Sequence, residues 1–219
     1  MTASSSLPFH ESPHRYFVMQ NLYESAVKQL VLKLEILNSE FNTLYARNPI
    51  HHIESRLKTP ASIYEKIGRY GYEATLENME RYILDIAGIR VICSYVQDVY
   101  TIANLLVSQD DVHLVRMADY IREPKPNGYR SLHLIVEIPV FLSEGRILVP
   151  VEVQIRTIAM DFWASLEHSL RYKAQEYIPQ HISDELQRVA TDIASLDQRM
   201  QAIHDQVDEL SDAHGDSAT

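Results

Sequence analysis

Apolar residues near both ends of the chain alternate spacings of four and three, the pattern of one helix face. The first series predicts a helix over residues 15–48, and the second predicts a coiled-coil-like helix over residues 176–211. The first seam comprises Tyr23, Val27, Leu30, Leu34, Leu37, Phe41 and Leu44. The second seam comprises Ile182, Leu186, Val189, Ile193, Leu196, Met200, Ile203, Val207 and Leu210. The second seam must pack on the N-terminal helix or on another subunit, and residues 1–14 and 212–219 are expected to be loose tails.

Between the two seams, short apolar runs with a period of two predict strands. The strands are expected over residues 89–95, 112–121, 131–139 and 147–155, and the helices over residues 75–84, 96–108 and 158–172. In the last strand, Glu152 and Gln154 point away from the apolar face. Pro150 favours an edge or a strand start, because it cannot donate a hydrogen bond. The face that carries Glu152 is either solvent-facing decoration or the floor of a cleft.

The helix after the last strand has a predicted cap and core face. Thr157 is expected to cap its N-terminus, and Trp163, Leu166 and Leu170 to supply its core face. Roles for Asp161 and Glu167, the polar positions among them, stay open.

Charge and cysteine content limit the partners and the compartment. The net charge of −10 argues against a general nucleic-acid binder. Nine acids and two bases follow residue 180, whereas residues 1–180 hold 21 acids and 18 bases, so a local basic site remains compatible with the total. The single cysteine, Cys93, lies in an apolar run and is expected to be core filler in a protein of the reducing cytosol. No apolar run is long enough to span a membrane.

A polar turn at residues 124–128 interrupts the strand pattern. Its two prolines resist helix formation, and its Asn-Gly pair allows a positive φ, so the turn presents side chains instead of burying them. Cations beside an aromatic ring suit a phosphorylated base, because cations hold phosphate and the ring stacks on the base. A hairpin turn with solubilising charges is the alternative. The presented residues are Lys125, Tyr129, Arg130, Ser131 and His133.

A second group of cations lies around residue 60. Arg56 and Lys58 alternate along an extended segment, and Thr59-Pro60 is the expected start of a helix. Lys66 and Arg69 share a face of that helix because they are three residues apart. The four cations could converge on a polyphosphate, but a solvated helix face explains them as well.

Two carboxylates complete the candidate chemistry. Asp85 falls just before a predicted strand and Glu152 falls within another. Phosphoryl-type transfer uses this combination: carboxylates hold a magnesium ion that bridges phosphate oxygens, and cations absorb the developing charge. A P-loop and a G-x-G-x-x-G motif are both absent from the sequence, and one cysteine cannot build a thiolate zinc cluster.

Several segments, in this order, resemble the RelA/SpoT synthetase domain. They are RLK at 56–58 with Ser62, Ile63, Lys66 and Arg69, DIAGIR at 85–90, KPNGYRSLH at 125–133, VEVQIRT at 151–157 and DFWASLEH at 161–168. The match spans about residues 50 to 172, inside an expected core of residues 49–175, and the flanking helices resemble those of the small alarmone synthetases. The resemblance implies an α+β, nucleotidyltransferase-like fold: a mixed sheet of about five strands flanked by helices.

The resemblance also implies the reaction and the residue roles. Such enzymes move the β,γ-diphosphate of ATP to the ribose 3′-hydroxyl of GDP or GTP, giving AMP and ppGpp or pppGpp. By resemblance, ATP would be held by Arg56, Lys58, Lys66, Arg69 and Arg90. The catalytic and Mg²⁺-binding carboxylates would be Asp85 and Glu152, with Glu152 also close to the 3′-hydroxyl. The guanine nucleotide would be held by Lys125, Tyr129, His133 and Gln154, with Tyr129 stacked on the base.

Further expectations concern hydrolysis, assembly and regulation. The chain has no room for the hydrolase domain of long relatives, and its only His-Asp pair, His204-Asp205, is expected on a solvated helix face, so synthesis without hydrolysis is predicted. Small family members form homotetramers, and the resemblance implies the same assembly here. Some are regulated by guanine alarmones or single-stranded RNA, and residues 49–54 occupy the corresponding region.

Two other classes remain open. One is a nucleotide- or RNA-binding regulatory module that kept the fold and lost the chemistry, against which both carboxylates argue. The other is a nucleotidyltransferase that transfers AMP, which release of AMP instead of pyrophosphate would exclude. The sequence does not reveal the preference among GTP, GDP and GMP.

Overall fold

The computed structural model describes residues 13–173 and 178–215. Its helices are α1 (Pro13–Tyr45), α2 (Pro60–Arg69), α3 (Leu76–Tyr82), α4 (Val96–Val107), α5 (Ile158–Lys173) and α6 (Gln180–Gly215). Its strands are β1 (Ile50–Leu57), β2 (Ala87–Cys93), β3 (His113–Asp119), β4 (Leu132–Leu142) and β5 (Gly145–Thr157). The expected helix boundaries differ by a few residues, and most of the expected tails, residues 1–12 and 216–219, lie outside the described residues. None of the described helices has the length and apolar content to cross a bilayer.

The strands form one mixed sheet in the order β1-β2-β5-β4-β3. Strands β2 and β5 are parallel, and the other three pairs are antiparallel. The expected α+β fold with a five-stranded mixed sheet is therefore confirmed. The extended segment around Arg56 is the edge strand β1.

One face of the sheet carries the core. Val151 and Val153 on β5 are fully buried, as the period-two pattern predicts. Helices α1 and α4 cover this face. The α1 seam supplies Leu30 and Leu34, both 0% exposed, so that seam packs on its own sheet. Cys93 is also buried, and burial raises the pKa of its thiol, as expected of core filler.

Pro150 lies on the central strand, although its side chain favours an edge. Its pairing explains the difference. Pro150 pairs with Glu137 of β4, but β2 joins β5 only from Glu152 onward. The proline therefore occupies a stretch where β5 has β4 as its one paired neighbour, so the missing donor breaks no ladder bond between β2 and β5.

The expected core face of α5 is wrong at two of its three positions. Trp163 is buried, but Leu166 and Leu170 are 50% and 47% exposed. The helix packs on α6 and the sheet through Met160, Trp163 and Ala164, a stripe that shares only Trp163 with the expected one. Period alone does not show which of two adjacent stripes meets the core.

The α6 seam is mostly exposed. Helix α6 packs on α5 and α4, with Leu186 and Ile193 against Trp163. Leu196, at 52% exposure, is typical of the remaining positions. His204, expected on a solvated face, instead stacks on Tyr95 at 4.1 Å. The α6 seam therefore does not pack on α1, which was one of the two partners that the sequence left open.

Candidate active site

The second face of the sheet forms the floor of a cleft of about 980 Å³. Alternate residues of the strands point into it, including Glu152 and Gln154 on β5 and His133 on β4. These two strands place His133 directly opposite Gln154. The face of β5 that the sequence left open is therefore the cleft face. Eight of the predicted site residues line the cleft: Arg56, Lys58, Asp85, Lys125, Tyr129, His133, Glu152 and Gln154.

One corner of the cleft is built around Asp85, at the entrance of β2. Lys58 and Lys66 both donate to Oδ2 of Asp85, the latter at 2.7 Å. Thr59 begins α2 as predicted, since its side chain accepts from the Ser62 amide and Pro60 takes the first turn. Burial acts to raise the pKa of the Asp85 carboxyl, but the two lysines outweigh it and hold that pKa below its ordinary value. Asp85 is therefore ionised at neutral pH.

The other oxygen of Asp85 suits a cation. Among the described residues, Oδ1 has no hydrogen-bond partner although it is buried. A buried carboxylate oxygen without a donor has an open place for a hard metal ion. Glu152 lines the same cleft, so the residues present fit Mg²⁺, which takes few protein carboxylates and completes its shell with water and phosphate. No group of three or more potential metal ligands occurs within residues 13–173 and 178–215.

A hydrogen-bond network surrounds Glu152. His133 Nδ1 lies 3.2 Å from Oε1, and Gln154 donates to Oε2 at 2.8 Å. Burial acts to raise the pKa of the Glu152 carboxyl, but the bonds from His133 and Gln154 keep it below its ordinary value. Glu152 is thus ionised and oriented toward the cleft.

The bonds around Tyr129 have a defined direction when the His133 ring is neutral. A guanidinium only donates, so Arg156 donates to the Tyr129 oxygen at 2.9 Å. The Tyr129 hydroxyl can then donate to His133 Nε2, 2.8 Å away, and His133 Nδ1 donates to the carboxylate of Glu152. Four side chains thus form one directed chain that ends on Glu152.

The turn that presents Lys125 and Tyr129 has the predicted backbone. Gly128 has φ +90°, and its amide donates to Lys125 O at 2.8 Å. The Asn127 amide side chain donates to Glu167 on α5 at 3.0 Å, which gives Glu167 a role in holding the turn. The Lys125 ammonium lies 4.8 Å from the centre of the Tyr129 ring. A cation and an aromatic face thus stand side by side, as the turn sequence predicts.

A smaller recess adjoins the cleft between β1 and β2. Arg56 and Arg90 line it on either side of Gly88, which has no side chain to fill the space. Glu152 and Gln154 line both the recess and the larger cleft. The two predicted ATP-side arginines therefore flank one recess that opens next to the predicted catalytic carboxylate.

Three candidate cations and hydroxyls lie elsewhere. Arg69 is exposed and pairs only loosely with Glu65, at 3.9 Å, so it does not join Lys66 at Asp85. The Arg130 guanidinium donates to the backbone oxygen of Ile121, and buried Ser131 donates to that of Ile155. Arg130 and Ser131 therefore hold the strand ends together, and only Lys125, Tyr129 and His133 of that segment face the cleft.

Sequence reasoning missed other residues at the cleft. Arg116 and Tyr120 line it, following the period of two along β3 and just beyond it, a signal that the sequence did offer. Arg156 is only 3% exposed and contacts both Asp161 and Tyr129. No local pattern distinguishes a buried arginine from a solvated one, so that role required the tertiary structure.

The sequence matches the family model described as the region found in RelA/SpoT proteins over residues 55–177. It is 46% identical to GTP pyrophosphokinase YwaC of Bacillus subtilis over 187 residues, 85% of this chain and 89% of that protein. It is also 38% identical to GTP pyrophosphokinase YjbM of Bacillus subtilis, over 87% of this chain and 89% of that protein.

Solved structures agree with the sequence matches. The fold is similar to the small alarmone synthetase 1 from Bacillus subtilis bound to its product pppGpp, with a TM-score of 0.81 and 37% sequence identity. The superposition covers 88% of this chain and 98% of that chain. The similarity therefore includes the terminal helices as well as the sheet and its cleft.

Proposed function

The chain belongs to the RelA/SpoT family and is a GTP pyrophosphokinase, and from this premise we propose how its cleft works. The β,γ-diphosphate of ATP is transferred to the ribose 3′-hydroxyl of GDP or GTP, giving AMP and ppGpp or pppGpp. The observation that supports this best is that Asp85 and Glu152 line one cleft together with Lys58 and Tyr129. Cations, carboxylates and a stacking ring in one cleft suit two nucleotides bound side by side.

ATP binds on the β1–β2 side. Arg56 and Arg90 hold the adenosine part in their recess, and Lys58 and Lys66 contact the phosphates. The lysines share Asp85 and can exchange part of that contact for phosphate oxygens. Arg69 lies at the exposed outer end of α2, so it contributes least among the five predicted ATP-side residues.

The guanine nucleotide binds on the β4 side. The Tyr129 ring stacks on the base, Lys125 attracts phosphate, and Gln154 and His133 hold the ribose near Glu152. Glu152 orients the 3′-hydroxyl and accepts its proton as the oxygen attacks the β-phosphorus of ATP. The bond from that phosphorus to the α-phosphate oxygen breaks, and AMP leaves.

Magnesium is the expected cofactor. Glu152 would hold it together with Asp85, whose Oδ1 has no hydrogen-bond partner in the part of the chain that the structure describes. When bound, the ion neutralises charge on the phosphate chain.

The test is an incubation with ATP, Mg²⁺ and each of GTP, GDP and GMP, resolved by anion exchange. We expect AMP and a 3′-diphosphorylated guanine nucleotide in equal amounts, and no degradation of added ppGpp. A protein that forms neither product would be the inactive binding module of the same fold. Pyrophosphate release with AMP attached to an acceptor would instead indicate a nucleotidyltransferase.

We propose that the chain assembles into a homo-oligomer, with a tetramer as the expected state, and the exposed apolar stripes support this. On α5, Phe162 and Leu166 are 58% and 50% exposed, and Leu196 and Met200 on α6 are 52% and 46% exposed. Contiguous apolar helix faces of this kind are typical of subunit interfaces. A second copy of the chain would cover these faces. It would then be the packing partner of the α6 seam, since α1 is not.

Light scattering at micromolar concentration measures this directly. We expect Leu196→Glu combined with Met200→Glu to lower the mass of the assembly. Phe141→Glu, at the 72% exposed tip of the β4–β5 hairpin, is the matched control and should leave the mass unchanged. A monomer mass for the parent protein would refute the proposal.

We place the enzyme in the cytoplasm, where its nucleotide substrates are found.

A further inference from the structure

Arg156 is a buried cation that has no role in the proposed reaction. It is 3% exposed, on the cleft-facing series of β5 that also carries Glu152 and Gln154. A guanidinium taken out of water must be matched by several acceptors in fixed positions. Among the described residues Arg156 has three, Gln154 Oε1 at 2.6 Å, the Tyr129 hydroxyl at 2.9 Å and Asp161 Oδ1 at 3.2 Å, while its buried Nε has none. Two of these acceptors belong to predicted guanine-side residues.

Asp161 also lies near Arg90, one of the predicted ATP-side residues. Its Oδ1 lies 3.8 Å from Arg90 Nε, and Arg90 donates to Glu54 at 2.9 Å. The distance of 3.8 Å exceeds a hydrogen bond, and Arg90 Nε is buried without a hydrogen-bond partner among the described residues. Asp161 is thus shared unequally between Arg156 and Arg90. A nucleotide that draws Arg90 toward itself leaves Asp161 to Arg156 alone.

We propose that Arg156 is a positioning residue that orients Tyr129 and Gln154 for the guanine nucleotide, and that Asp161 couples this orientation to nucleotide binding at Arg90. The inference rests on the proposed assignment of the two nucleotide sides. Binding of ATP at Arg90 strengthens the pair of Asp161 with Arg156. The pair fixes the Tyr129 ring and so tightens guanine-nucleotide binding. By reciprocity, the guanine nucleotide tightens ATP binding by the same factor.

The experiment is calorimetric titration of GDP into the parent protein and variants, with and without a non-hydrolysable ATP analogue and Mg²⁺. We expect the analogue to tighten GDP binding to the parent about fivefold or more, the low end of measured coupling between sites. Asp161→Asn should reduce that factor to within about twofold of unity. Asp161→Asn retaining the parental factor, or a parent without coupling, would overturn the role of Asp161.

The positioning role of Arg156 is tested in the absence of the analogue. Arg156→Gln should weaken GDP binding about tenfold, and Arg156→Lys should restore part of the loss, since one donor is kept. Arg47→Gln breaks an ion pair with the buried Asp98 away from the cleft, at 2.7 Å, and controls for general loss of stability. GDP affinity equal to the parent in Arg156→Gln would overturn the proposal.

A variant that fails to fold does not end the test. Tyr129→Phe removes the acceptor of Arg156 but keeps the ring, so it should weaken GDP binding in the same direction as Arg156→Gln. GDP affinity equal to the parent in Tyr129→Phe would overturn the proposal. Because binding is measured separately from product formation, a parent that shows the coupling but makes no alarmone would refute only the proposed function.

Discussion

The two sides of the cleft achieve order in different ways. At the Asp85 corner, two lysines converge on one carboxylate oxygen, and the other oxygen is buried without a partner among the described residues. Around Glu152, both carboxylate oxygens are bonded, and the chain continues through His133 to Tyr129. The Asp85 corner keeps a charged oxygen without a donor, whereas the hydrogen bonds around Glu152 are already formed.

This difference fits the ligands expected on each side. Phosphates and a metal ion bring their own charges and can replace the contacts of Lys58 and Lys66 with Asp85. A base and a ribose bring directional hydrogen bonds, so they need a site whose geometry exists before they arrive. Changes on the guanine side should therefore act through geometry, and changes at the Asp85 corner through charge.

The largest effect should come from Glu152→Gln. The change keeps the shape of the side chain and removes the charge that accepts the 3′-hydroxyl proton. We expect turnover of ATP plus GDP to fall by roughly 10²–10⁴-fold, the range for loss of a general base. Circular dichroism on the same preparation should match the parent, and GDP should still bind. Activity within a few-fold of the parent would leave Glu152 as an ordinary polar residue of β5.

Tyr129→Ala should have the next largest effect, on one substrate only. Stacking on an aromatic ring contributes roughly 1–3 kcal/mol per base, which corresponds to about a tenfold to hundredfold rise in KM for the guanine nucleotide. KM for ATP should change little, because ATP binds on the other side. Steady-state kinetics with each substrate varied in turn measures the split. Equal losses for both substrates would show that the ring supports the whole cleft.

Gly128→Ala tests how firmly α6 holds the guanine turn. A Cβ on Gly128 would lie 2.5 Å from the Ala190 side chain of α6, and φ is +90°. Gly71→Ala is the matched control, since φ is +77° there but nothing lies within 4 Å of an added Cβ. Backbone strain should cost both variants about 1 kcal/mol of unfolding free energy, and crowding should cost Gly128→Ala about 1–3 kcal/mol more. Urea denaturation compares them, and equal losses would mean that α6 yields freely.

The smallest effect concerns acid. Folding lowers the pKa of Asp85 below its ordinary value of 3.8 and that of Glu152 below its ordinary value of 4.5. Each carboxylate therefore stabilises the fold at pH values above its ordinary pKa, and this stabilisation is lost as the pH falls through the lowered pKa. Asp85→Asn and Glu152→Gln should each flatten the fall of unfolding free energy in acid.

Asp197 on α6 provides the opposite sign for the same experiment. Burial raises the pKa of its carboxyl above the ordinary value of 3.8. Its contribution to the free energy of unfolding is therefore present below pH 3.8 and is lost as the pH rises through the raised pKa. Asp197→Asn should therefore steepen the loss in acid. Denaturant midpoints from pH 3 to 6 on all three variants would detect the two signs, and a common sign would contradict the assigned contacts.

The sequence predicted what local chemistry determines. The alternation in β5 placed Glu152 and Gln154 on the face opposite the buried valines, and the Asn-Gly pair predicted the positive φ of Gly128. Three-dimensional packing determined the rest. Leu166 and Leu170 have helical spacing like the core residues, but a different stripe of α5 meets α6.

The Asp85 corner is a second place where the sequence could not predict the arrangement of side chains. Lys66 and Arg69 share a helix face in the sequence pattern, yet only Lys66 reaches Asp85. The start of α2 at Thr59-Pro60 was predicted, but the direction of the helix depends on how its buried Ile63 and Ile67 pack in the core. Side-chain convergence at a site is a property of how elements dock, and no residue spacing within one helix encodes it.

The pairing of β4 with β5 makes the length of one hairpin a determinant of catalysis. His133 lies opposite Gln154, and the register runs without interruption to Leu142 opposite Gly145. A strand that slips by one residue turns every side chain to the opposite face. Removing a single residue between positions 142 and 145 would set the turn against this register, because following the shortened turn would take Val151 and Val153 out of the core and bury the Glu152 carboxylate. The position of Glu152 in the cleft therefore limits the length of a hairpin loop that lies outside it.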